Sequence, residues 1–251
     1  MSGTAPDLSG KRAVVTGAAS GIGAAVVERL VATGAEVVAA DRSERVAEVA
    51  AGLGAHHEVV DLGDLDAAGE LGAGADVVVN NAGFQHVAPV QDFPPETFAE
   101  ILRVMVEAPF RIVRSALPGM YRAGWGRVIN ISSVHGLRAS PYKSGYVTAK
   151  HALEGFSKTV AVEGAAHGVT SNCICPGFAR TPLVERQVAE QARLHRVPEV
   201  QVIEDVLLAR TPVKRLVEPA EVAELATWLC GPGTASITGA SLSMDGGWTA
   251  G

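Results

Sequence analysis

The sequence predicts a doubly wound α/β fold in three layers, built on a seven-stranded parallel sheet with a small helical lid. Three observations point there. Seven short apolar runs alternate with segments of helical spacing. The runs are continuous rather than interleaved with polar residues, as expected of strands covered on both faces. The first run passes through a glycine turn straight into a helix, the opening of a Rossmann-type unit.

Each element follows from its own residues. KRAVV at 11–15 begins the first strand, and IGAAVVERLVAT at 22–33 carries apolar residues at helical spacing. EVVAA at 36–40 is the second strand and 43–51 the second helix. HEVV at 57–60 and DVVVN at 76–80 are the third and fourth strands. Only a brief helix fits between Asp61 and Asn80, so one outer layer is expected to be thin there. A long helical region covers 95–122, followed by a strand, GRVINIS, at 126–132. Residues 144–167 form a long helix ended by Gly168, and VTSNCI at 169–174 is the next strand. The charge-rich stretch 180–210 has no strand character and reads as the lid. A helix at 219–230 after Pro219 and a strand, ASLSMD, at 240–245 complete the order. Right-handed crossovers put the C-terminal ends of all strands on one side of the sheet.

Composition narrows the function. The chain has 251 residues, 47% hydrophobic, which excludes disorder as the main state and suits one domain spanning 1–251. A net charge of −6 argues against general binding to nucleic acid or anionic membranes. Three cysteines form neither a disulfide framework nor a metal pattern, so no metal is expected. No apolar stretch is long enough to span a membrane, and MSGTAPDLSG at the start lacks the features of a signal peptide. A cytoplasmic protein is expected.

The first chemical signal is the turn Thr16–Gly23, TGAASGIG. Gly17 permits a tight turn, Gly21 a close approach of backbone to a pyrophosphate, and Gly23 close packing of helix on sheet. Ser20 and Ile22 complete the start of the helix, whose N-terminal end faces the phosphates. Asp41 ends the second strand, where a carboxylate accepts hydrogen bonds from the ribose hydroxyls of NAD and repels the added phosphate of NADP. NAD is the expected cofactor, although Arg42 beside Asp41 offers that phosphate a partner. Asp61, followed by Leu62, is placed to accept a bond from the adenine amino group. Asn81, Ala82 and Gly83 let the cofactor pass close to backbone, with Asn81 free to hold a local loop bond.

The second signal is Ser133, Tyr146 and Lys150. Tyr146 and Lys150 are four residues apart and share a helix face. A phenol beside a cation can exchange a proton with a carbonyl oxygen while hydride moves at carbon, and a strand-end Ser can hold that oxygen.

With the glycine turn, Asn80–Gly83, Ser133, Tyr146, Lys150, Pro176-Gly177 and Thr181, the chain resembles the short-chain dehydrogenase/reductase family over essentially its whole length. The resemblance implies Tyr146 as acid/base and Lys150 lowering its pKa and binding ribose. It also implies Ser133 orienting the carbonyl, and the segment after Pro176-Gly177 closing over nicotinamide. Gln85, His135, Lys143 and Gln187 come from separate loops on the same rim and suit a small carboxylate. NAGFQHVAPV, NISSVHGLRASPYKSGYVTAKH, CPGFARTPLVERQ and DGGWTA further resemble the branch of the family acting on D-3-hydroxybutyrate. That resemblance implies a small 3-hydroxy or 3-keto acid held by those four residues, Trp248 as a further pocket residue, and a homotetramer. The family carries an Asn at the position of Met105, where a thioether is a poor hydrogen-bonding group, so a slower proton relay is expected. Two other readings stay open: a 3-oxoacyl-carrier-protein reductase or other small hydroxy-acid enzyme, and a non-catalytic NAD(H)-binding protein.

Overall fold

The computed structural model describes residues 6–182, 184, 185, 188, 192 and 196–250. Seven parallel strands form one sheet in the order β3-β2-β1-β4-β5-β6-β7. They are β1 (Arg12–Thr16), β2 (Glu36–Asp41), β3 (His56–Val59), β4 (Val77–Asn80), β5 (Gly126–Ile131), β6 (Val169–Pro176) and β7 (Ser241–Met244). The order reverses between β1 and β4, which pair through Ala13–Val77, Val14–Val78 and Val15–Val79. A crevice must open beyond the C-terminal ends of these two strands, because the crossovers leave in opposite directions.

The continuous apolar runs bury the sheet on both faces. Ala13 and Val15 of β1 pack into one cluster, with α1 (Gly21–Val31), α2 (Arg45–Leu53) and α7 (Pro219–Trp228). Val14, between them, points into the opposite cluster, with α3 (Leu65–Leu71), α5 (Ala108–Ala123) and α6 (Ser144–Gly164). Successive strand side chains alternate faces, so a strand apolar at every position needs helices on both sides. The edges behave differently: all four β3 residues are exposed, and β7 is only half-buried.

The long helical region splits in two. α4 (Pro95–Leu102) and α5 are joined by a widened turn at Arg103–Glu107, where the Ala108 N–H bonds the Arg103 carbonyl five residues back. A turn of this π type was not legible in a periodic run. α3 is short, as expected, and starts on Asp64, whose carboxylate accepts from the Asp66 and Ala67 amides. The long α6 ends through Gly168 at φ +70, the left-handed conformation a β-carbon disfavours. Within 180–210, a short helix at Glu199–Val202 runs into a second widened turn, Ile203–Leu207. Val188, Ala192, Val202, Leu207, Leu208 and Leu216 form a small core of their own beside the main sheet. No helix among the described residues is long and apolar enough to cross a membrane, and no cluster of metal-ligating side chains occurs among them.

Candidate active site

The crevice at the β1/β4 reversal is a cavity of about 500 Å³. The glycine turn floors it. Gly17 has φ +68, and a β-carbon there would stand 2.8 Å from the Ala82 Cα and the Asn81 amide nitrogen. Gly23 serves the turn rather than the cavity: its β-carbon would collide with the Gly17 carbonyl oxygen at 2.2 Å. Asn81 reaches beyond its own loop, donating to the carbonyls of Thr16 (2.9 Å) and Gly17 (3.1 Å). The Thr16 hydroxyl accepts from the Asn81 and Ala82 amides in return. These bonds lock the ends of β1 and β4 into one rigid cradle.

Chain groups along the cavity suit a dinucleotide. The first turn of α1 has no acidic residue and Ser20 makes no side-chain cap, leaving its amides to an anion. Asp41 faces the cavity with its carboxylate fixed by the amides of Ala19 (3.1 Å) and Ser43 (2.9 Å). Asp61 lines the wall too, accepting from Gly63 at 2.8 Å, with Leu62 next to it. Gly21, Ile22, Ala82, Gly83, Pro176, Gly177 and Thr181 complete the expected set on this wall. Arg42 and Arg45 line it as well. Arg45 was missed by sequence reading, although its place four residues past Asp41 at the start of α2 was the available signal.

Ser133, Tyr146 and Lys150 converge at the inner end of the same cavity. β5 delivers Ser133 and α6 presents Tyr146 and Lys150 one turn apart. The Lys150 ammonium donates to the Ile131 carbonyl at 2.6 Å and lies 5.5 Å from the Tyr146 ring centroid. Burial lowers the Lys150 pKa to about 8. Burial raises that of Tyr146, with the Ser133 hydroxyl pulling the other way. Desolvation is the larger influence on the phenol in this state and favours its protonated form.

A second hollow of about 170 Å³ adjoins this end, lined by His135, Lys143, Phe178, Arg210 and Trp248 among others. The Ser133 Oγ accepts from the His135 amide at 3.1 Å and meets its Nδ1 at 3.3 Å. The His135 ring lies 6.0 Å from both the Tyr146 and Trp248 rings. Its Nε2 is buried without a hydrogen-bond partner among the described residues. Burial first, then the Lys143 charge, lowers the His135 pKa to about 4, so the imidazole is neutral. Lys143 is half-buried, and burial lowers its pKa too. Gln85 sits half-buried in the loop after β4 but lines neither cavity. Gln187 lies outside the described residues. Met105 is fully buried in the widened turn, where it packs with Phe93, Ile101 and Ala149 and touches Gly83.

Known proteins share this architecture. Residues 17–249 match the family model described as Enoyl-(Acyl carrier protein) reductase. The D-beta-hydroxybutyrate dehydrogenase of Rhizobium meliloti is 46% identical, in an alignment covering 96% of this chain and 99% of that protein. The enzyme of the same name from Cupriavidus necator is 42% identical, covering 97% and 99%. The crystal structure of actinorhodin polyketide ketoreductase with NADPH superposes with a TM-score of 0.87 at 31% identity, over 98% of this chain and 99% of that one. With the glycine cradle, the reversal crevice and the Ser133, Tyr146 and Lys150 cluster, these matches establish that the chain belongs to the short-chain dehydrogenase/reductase family of oxidoreductases.

Proposed function

We propose that this chain is an NAD-dependent dehydrogenase interconverting D-3-hydroxybutyrate and acetoacetate. Residues 1–251 would act as one catalytic unit in a cytoplasmic homotetramer, with 180–210 as its lid. One observation carries the reading. A small hollow holding a neutral His135 whose Nε2 has no partner among the described residues, the Lys143 ammonium and Trp248 opens beside Ser133 and Tyr146. A hollow of about 170 Å³ is well below the roughly 300–1,000 Å³ of drug-sized ligand sites, so it suits a small acid rather than a long acyl chain. The relatives named D-beta-hydroxybutyrate dehydrogenase support the same substrate.

The long cavity fits a dinucleotide: Gly17 and Gly21 keep its floor at backbone level, a β-carbon at Gly17 being barred by Asn81 and Ala82, and the free amides of α1 suit a pyrophosphate. Asp41 would hold the ribose hydroxyls, which favours NAD over NADP. Bound there, NAD would supply the carbon that accepts hydride. Tyr146, as phenolate, takes the hydroxyl proton in oxidation and returns it in reduction. The Ser133 hydroxyl donates to the substrate oxygen as carbonyl character develops. The Lys150 ammonium favours the phenolate by its charge and holds the nicotinamide ribose. The His135 Nε2, as a neutral N–H, and Lys143 hold the carboxylate, with Gln85 and Gln187 as further donors when the lid closes. His135 is unsuited as the base, since burial keeps its proton affinity low.

The test is a matrix of cofactors and substrates on purified protein, followed by absorbance of reduced nicotinamide. Acetoacetate with NADH is expected to outperform an acetoacetyl thioester with NADPH, and Tyr146→Phe to abolish turnover. Preference for the thioester pair would replace this reading with that of a carrier-protein reductase. Tight NADH binding with no turnover of any small hydroxy acid would leave a cofactor-binding protein.

A further inference from the structure

Arg210 lines the second hollow with His135, Lys143 and Trp248, and the carboxylate site described above makes no use of it. Its guanidinium carbon lies 5.5 Å from the centroid of the Trp248 ring. A guanidinium over an indole face keeps its N–H edge free for an oxyanion. The turn carrying it is built firmly. The Lys214 ammonium donates to the Leu208 (2.7 Å) and Ala209 (3.1 Å) carbonyls just before Arg210 and so closes the turn. The Val213 N–H bonds the Gly246 carbonyl at 3.0 Å, tying this turn to the segment that bears Trp248. A β-carbon at Gly246 would stand 2.8 Å from the Thr211 side chain, so the two segments are in close contact.

The charge balance of the hollow is uneven. Among the described residues it is lined by two cations, Lys143 and Arg210, and by no aspartate or glutamate. Neither cation forms an ion pair among the described residues. A monocarboxylate compensates one of them and leaves the other facing the substrate's uncharged end. Lys143 is half-buried and Arg210 stands at the exposed rim, and two cations on one hollow are best matched by a dianion.

We propose that Arg210 is a second anion-binding group of the substrate pocket. A short 3-hydroxy acid bearing a second carboxylate is then the better substrate of this chain. The inference rests on the dehydrogenase reading above and specifies its substrate class. The probe is 3-hydroxyglutarate, which keeps the hydroxy carbon and acid arm of 3-hydroxybutyrate and carries a second acid arm in place of the methyl group. It is achiral, so handedness does not confuse the comparison.

Initial rates with NAD give kcat/KM for both acids in the wild type, Arg210→Gln and Arg210→Lys, with melting curves to verify folding. The wild type is expected to prefer the diacid. Arg210→Gln should lower the diacid-to-monoacid ratio roughly tenfold or more, and Arg210→Lys should restore much of it. A wild type with no preference for the diacid, or a ratio unmoved in Arg210→Gln, overturns the proposal. Turnover of 3-hydroxybutyrate without such a preference leaves the dehydrogenase reading standing. Turnover of neither acid removes both.

Discussion

His135 shows most clearly how burial sets chemistry at this site. Its pKa falls from 6.5 to about 4 because the desolvated ring resists a second proton and Lys143 adds repulsion. As pH drops through 6.5 the unfolded chain takes up this proton, while the folded chain does so only near 4. Folding stability is therefore lost on acidification across that window, by at most on the order of 3 kcal/mol from this residue. The melting temperature is expected to fall between pH 6.5 and 4, less steeply in His135→Gln; equal slopes would show that the imidazole contributes nothing. Much of the site was legible at this scale. Tyr146 and Lys150 announced a shared face by spacing alone, and Asp41 its place by ending an apolar run. Depth of burial was not legible, and burial is what raises the Tyr146 pKa and keeps the His135 imidazole neutral. Arg210 was not legible either. It reaches the pocket from a stretch with no periodicity, through bonds to a segment distant in sequence.

Among the elements, the paired turns at the crevice carry the most information. The strands were readable because residues covered on both faces must be apolar, and the exception proves the cause: HHEV of β3 is an edge with all residues exposed. The widened turn at Arg103–Glu107 left no trace in the periodicity, because one added residue per turn leaves the flanking helices in pattern. Met105 lies in that turn, directly under Gly83 and the loop after β4. If the proton relay from Tyr146 draws on this side chain, Met105→Asn should raise kcat by up to roughly tenfold and shift the pH–rate profile. The gain should come with a loss of about 1–3 kcal/mol in stability, since the amide enters a pocket of Phe93, Ile101 and Ala149. An unchanged profile would assign the relay to backbone groups of the turn alone.

The whole molecule presents two faces that its own core does not finish. On α5, Phe110, Leu117 and Tyr121 fall at spacings that share one side of a helix. Phe110 meets Phe156 of α6 at 5.9 Å, and Tyr121 stacks on His167 at 4.1 Å. Phe110 nonetheless remains 46% exposed. At the far edge of the sheet, β7 keeps unpaired backbone groups and no charged residue, whereas the opposite edge, β3, is guarded by His56, His57 and Glu58. The proposed homotetramer would use both faces, each pairing with its own copy about a two-fold axis, which closes four chains with dihedral symmetry. Sedimentation velocity at micromolar concentration is therefore expected to show four copies. Phe110→Asp should stop assembly at a dimer joined through β7, and Ser243→Lys, on the exposed side of that strand, at a dimer joined through α5 and α6. A wild-type monomer would refute both faces at once, and a single variant that leaves the tetramer intact would remove only the face it alters.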